Sequence, residues 1–103
     1  MLVNVILHSE CGPNGAAPQV LLICPPPTTA TLSPIFADDF EGAPEKSHQL
    51  AQYFQIVAEK MGVHFLNAGA IIESSPVDGI HFESDAHRKL GQAVAEKVRA
   101  ILK

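Results

Sequence analysis

Two residues of this chain have the types and spacing to do acid–base chemistry together. Asp78 and His81 stand three apart in the run Val77-Asp78-Gly79-Ile80-His81-Phe82. An aspartate so placed can turn back onto the imidazole and accept from one ring nitrogen. That fixes the tautomer and leaves the other nitrogen free as a general base. Gly79 allows the positive φ that such a reversal needs. Pro76 before the run and Glu83-Ser84-Asp85 after it keep both residues out of a core. The same spacing also fits an Asx-turn at Asp78 that leads into a helix with His81 merely exposed. A base of this kind acts on a nucleophile or on water, and no nucleophile is marked by its local sequence. His8-Ser9-Glu10 has the composition of a triad, but neighbours along a helix or strand do not face one another. Asp78, His81, Glu83 and His87 match no common metal-ligand spacing, and no cofactor motif is present.

The elements that would position the pair are legible on either side of it. Val20 to Cys24 is a continuous apolar run, expected as a strand buried on both faces. Pro25-Pro26-Pro27 ends it, because proline can neither continue a helix nor donate to a ladder. Thr28 to Gly42 reads as a long loop weighted with Leu32, Ile35, Phe36 and Phe40. Pro44 to Met61 reads as a helix, with Leu50, Phe54, Val57 and Met61 on one stripe and Gly62 as its stop. Val63 to Asn67 is a second short strand. Ser84 is the expected N-cap of a closing helix whose stripe, Leu90, Val94, Val98 and Ile101, should be buried. Leu2 to Leu7 suits a helix or a strand. Residues 1–103 therefore form one small α/β domain, a βαβ unit plus a C-terminal helix, with a right-handed crossover expected. In such sheets sites lie at the carboxyl ends of the strands. That end carries Cys24, Ser33, Ser74 and Ser75 as candidate nucleophiles.

Composition narrows the classes further. A net charge of −4 argues against a nucleic-acid partner. No apolar run reaches the roughly 20 residues that span a bilayer. Met1-Leu2-Val3-Asn4-Val5 has no basic region of the kind that opens a signal peptide, so a bacterial cytoplasm is the expected compartment. Cys11 and Cys24 provide no disulfide framework.

Asp78-Gly79-Ile80-His81-Phe82 and the amphipathic helix after it resemble the last conserved block of the SGNH (GDSL) hydrolases. Gln19 to Pro27 resembles the buried strand and proline-rich loop of the small bacterial arylesterase and acyltransferase members. The resemblance runs from about Leu2 to Leu102 and corresponds to the C-terminal half of such a protein. It implies a truncated flavodoxin-like parallel sheet. It also implies a triad in which Asp78 orients His81, a small ester as substrate, and an acyl pocket walled by Pro26, Pro27 and Phe36. The Gly-Asp-Ser block that carries the family's nucleophile has no counterpart here, and neither have the blocks that supply its oxyanion donors. Two outcomes follow as expectations. One is weak hydrolysis of short or activated carboxylic esters through a non-standard nucleophile. The other is a folded but inactive piece that needs an N-terminal half. A two-stranded sheet also leaves an apolar edge to be covered. It could be completed by the N-terminal segment turning into a strand, or by homo-oligomerisation through that edge.

Overall fold

The computed structural model describes residues 2–103. It contains α1 (Leu2–Leu7), β1 (Leu21–Cys24), α2 (Ala43–Met61), β2 (His64–Asn67) and α3 (Ser84–Leu102), with short 3₁₀ turns at Pro13–Gly15 and Ala68–Ala70. β1 and β2 are parallel and in register from Leu21 opposite His64 to Cys24 opposite Asn67. α2 is the crossover between them, which makes the expected βαβ unit. It starts behind Gly42 with Pro44 in its first turn, and stops at Gly62. There the left-handed φ of +69° turns the Gly62 N–H back onto the carbonyls of Ala58 and Glu59.

One open choice is settled and two expectations fail, each for a local reason. Leu2–Leu7, which suited a helix or a strand, is helical and adds no strand to the sheet. Its last carbonyls are taken up by the chain's own side chains: the Ser9 hydroxyl donates to Ile6 O, and the His8 ring meets Asn4 O. The segment therefore needs no ladder partner. The run Val20–Cys24 is not buried on both faces. Cys24 is buried, but Ile23, which points away from α2, is 37% exposed. Finally, α3 starts from Glu83, which has extended backbone angles, and Ser84 is its first helical residue. No residue of α3 is fully buried: in the stripe Leu90, Val94 and Ile101 are half-buried and Val98 is exposed, so it is covered less than its spacing requires.

The core is accordingly small. Val3, Cys24, Ala58, Ala68 and Ile72 are its buried apolar residues. They come from α1, the end of β1, the inner face of α2 and the turn after β2. The radius of gyration is 15.7 Å, where a compact domain of about 100 residues has about 13 Å.

Candidate active site

The site is made by two loops at the carboxyl end of the sheet, one after β1 and one between β2 and α3. Three hydrogen bonds join them. The Ser74 hydroxyl donates to Pro27 O at 2.8 Å. Thr29 N–H donates to Gly79 O at 3.0 Å, and Ser33 N–H to Asp78 O at 3.1 Å. Gly79 sits at the closest approach, with φ +82° and a Cβ position already occupied by Thr29 Oγ1.

Within the second loop, Ser75 is the hub. Its N–H donates to His81 O at 2.6 Å, and its carbonyl accepts from Gly79 N–H at 2.7 Å. Its hydroxyl donates to the Glu83 carboxylate and accepts from Val77 N–H. Both ends of the Asp78–His81 turn are thereby tied to one residue, and the start of α3 is tied to the same point.

Asp78 uses its two oxygens differently. Oδ1 accepts from the N–H groups of Ile80 at 2.8 Å and His81 at 2.9 Å, which is the Asx-turn. Oδ2 lies 2.5 Å from His81 Nδ1. The Ile80 N–H, and after it the His81 ring and N–H, favour the carboxylate and lower the Asp78 pKa from 3.8 to about 2. The His81 side chain is 69% exposed, and Nε2 makes no hydrogen bond among the described residues. A ring held at Nδ1 by a carboxylate and open at Nε2 can take a proton from a group brought to it. The Phe36 ring packs beside it, with centroids 5.9 Å apart.

The candidate nucleophiles separate. Ser74 and Ser75 are buried and donate their hydroxyls to Pro27 O and Glu83. The Cys24 thiol is 1% exposed, points to Pro25 O, and is pushed up in pKa by burial. Ser33 is half-buried, and its backbone rests on Asp78. Of the expected pocket wall, Phe36 reaches His81 and Pro26 is buried beside Gly69. Pro27 lines a cavity of about 380 Å³ together with Thr28, His48, Glu73 and Ser74. Neither Asp78 nor His81 borders that cavity. Sequence reasoning missed Glu83 and Thr29. Their partners lie 8 and 50 residues away, and no local spacing announces such contacts. Among the described residues, no three His, Cys, Asp or Glu side chains converge as a metal site would require.

No protein-family model and no curated protein matches the sequence. Solved structures do. The aryl esterase of M. smegmatis superposes with a TM-score of 0.89 at 41% identity, covering 98% of this chain and 48% of that one. A carbohydrate acetylesterase from Sinorhizobium meliloti gives 0.88 at 36% identity, with the same coverages. This chain has the fold of half an SGNH-type esterase. It spans about half the length of the solved structures it matches, and the truncated α/β sheet is that half's sheet. No helix among the described residues is long and apolar enough to cross a membrane.

Proposed function

We propose that the chain carries the Asp–His half of an ester hydrolase acting on short-chain or activated carboxylic esters. Asp78 orients His81, and His81 is the general base. The observation that carries this reading is the 2.5 Å contact from Asp78 Oδ2 to His81 Nδ1, with the far side of the ring open. Both solved structures described above are named as esterases, which supports the same reaction class. Ser33 is the favoured nucleophile, because the hydroxyls of Ser74 and Ser75 and the thiol of Cys24 are buried. In that scheme the Ser33 Oγ proton passes to His81 Nε2 as Oγ bonds to the acyl carbon. The alcohol then leaves with that proton, and water releases the acid through the same nitrogen. Turnover should be slow, since each missing oxyanion donor costs about 10²–10³ in rate.

A second reading is favoured by the half-length coverage: the chain folds as a half and turns nothing over by itself. Labelling with a serine-directed fluorophosphonate, read by intact mass and peptide mapping, separates the two. Hydrolysis through Ser33 requires a stoichiometric adduct on Ser33 that disappears in both Ser33→Ala and His81→Ala, whereas His81-dependent turnover without an adduct assigns the base to water. An unlabelled, folded chain whose ester turnover is the same in His81→Ala as in the parent would refute it.

A further inference from the structure

The cavity of about 380 Å³ that neither Asp78 nor His81 borders has walls of its own. It lies where the loops after β1 and β2 meet the first turns of α2, at the carboxyl end of the sheet. Open α/β sheets bind small molecules at that end, and the volume falls within the roughly 300–1,000 Å³ of such sites. Two residues hold the walls in place without a ligand. Ser47 of α2 accepts from Thr28 N–H at 3.0 Å and donates to Pro44 O at 3.1 Å. Ser74 donates to Pro27 O at 2.8 Å.

The lining is buried on one side and open on the other. Ile72 and Ser74 are buried, and Pro27 is half-buried. The hydroxyls are already engaged: Thr28 Oγ1 meets Ser47 Oγ at 3.3 Å, Thr29 Oγ1 donates to Thr31 O at 2.8 Å, and Ser74 donates to Pro27 O. His48 and Glu73 are exposed at the rim. Among the described residues neither side chain has a hydrogen-bond partner, and the ion pairs lie elsewhere. The cavity therefore offers an imidazole that can donate and accept, a carboxylate that only accepts, and the apolar surface of Pro27 and Ile72.

This combination selects among ligand classes. No lysine or arginine borders the cavity, and Glu73 opposes an anion. No Phe, Tyr or Trp borders it, so an ammonium group would meet a single solvated carboxylate and no aromatic face. A neutral ring with hydroxyls on adjacent carbons uses every feature present. Its O–H groups donate to Glu73, its oxygens accept from His48, and its C–H face lies on Pro27 and Ile72. We propose that the cavity is a binding site for a neutral sugar ring, held by His48 and Glu73. The site goes beyond the proposed hydrolysis, because a glycoside that carries no ester binds it and no step at His81 is involved.

The test is an amide NMR titration of the full chain with the methyl glycosides of glucose, galactose, mannose and xylose. Cyclohexanol, inorganic phosphate and tetramethylammonium serve as the contrasting probes. At least one glycoside should give saturable shifts centred on Thr28, His48, Glu73 and Ser74, with a Kd on the order of millimolar, as befits so small a ligand. His48→Ala and Glu73→Ala, both at exposed positions, should each weaken binding by about tenfold, the effect of losing one hydrogen bond. Glu96→Ala, on α3 and outside the cavity, should leave it unchanged. The proposal is overturned if no glycoside shifts those amides, or if binding is indifferent to both His48→Ala and Glu73→Ala. It is overturned equally if cyclohexanol, phosphate or tetramethylammonium binds there as tightly as the best glycoside. Binding and not turnover is read, so a failure of hydrolysis leaves this outcome unaffected.

Discussion

Asp78 was open to two readings from its sequence, as the start of an Asx-turn or as the orienting partner of His81. The contacts of both are present together, because a carboxylate has two oxygens and the turn uses only one. The spacing announced each reading separately; their coexistence depends on Gly79, whose φ of +82° closes the loop. Two predictions belong to this scale. Gly79→Ala should destabilise the chain by about 1–3 kcal/mol in urea unfolding, from backbone strain and the collision with Thr29. The second concerns acid. A carboxyl whose folded pKa is lowered from 3.8 to about 2 contributes stability that is fully present above its unfolded pKa and lost as pH falls through the folded one. The Asp78 carboxyl carbon followed by NMR should therefore titrate near pH 2 in the folded chain. Asp78→Asn should remove the part of the acid dependence of stability that falls between about pH 4 and pH 2. A midpoint at the ordinary aspartate value would mean that the Ile80 and His81 donors are not engaged in solution.

Among elements, α2 was readable because its signals are local: a proline in the first turn, an apolar stripe and a glycine at the stop. The start of α3 was not. Ser84-Asp85 has the composition of an N-terminus, yet the chain enters the helix from Glu83, whose carboxylate is held by Ser75 from across the loop. A contact between residues eight apart in an irregular segment leaves no periodic trace. The two serines should accordingly differ. Ser75→Ala leaves Val77 N–H and Glu83 without their shared partner in a buried position, and should cost about 1–3 kcal/mol. Ser84→Ala removes an exposed hydroxyl that makes no capping bond, and should fall within about 0.5 kcal/mol of the parent. Thermal or urea unfolding of the pair measures both. If Ser84→Ala proved the more costly, the helix would begin one residue later, at Asp85, with Ser84 as its cap. Leu2–Leu7 shows a related limit. Its apolar residues suited a sheet, and the deciding groups, His8 and Ser9, lie just beyond its end.

For the whole molecule, periodicity states what a face requires and says nothing about what lies against it. The stripe of α3 reads as buried by spacing, and so does the apolar run of β1. Yet α3 has no fully buried residue and Ile23 is 37% exposed. The half-site has the same character, since Asp78 and His81 were legible while the group they would activate was not. These absences are consistent with one another if the matched half is stable largely through the βαβ unit, with α3 held at its start by the Ser75–Glu83 contact. Substitutions should then sort by position. Ala58 is 1% exposed where α2 meets the sheet, so Ala58→Leu forces extra volume into a filled space and should cost about 1–3 kcal/mol. Val98 sits on the apolar stripe of α3 but is 37% exposed. Val98→Glu should change the stability of the chain alone by less than about 0.5 kcal/mol. Urea unfolding of the two variants, with amide exchange to compare α2 and α3, decides the matter. If Val98→Glu costs as much as Ala58→Leu, α3 is already packed against something in the chain alone, and its stripe is no longer available to a partner.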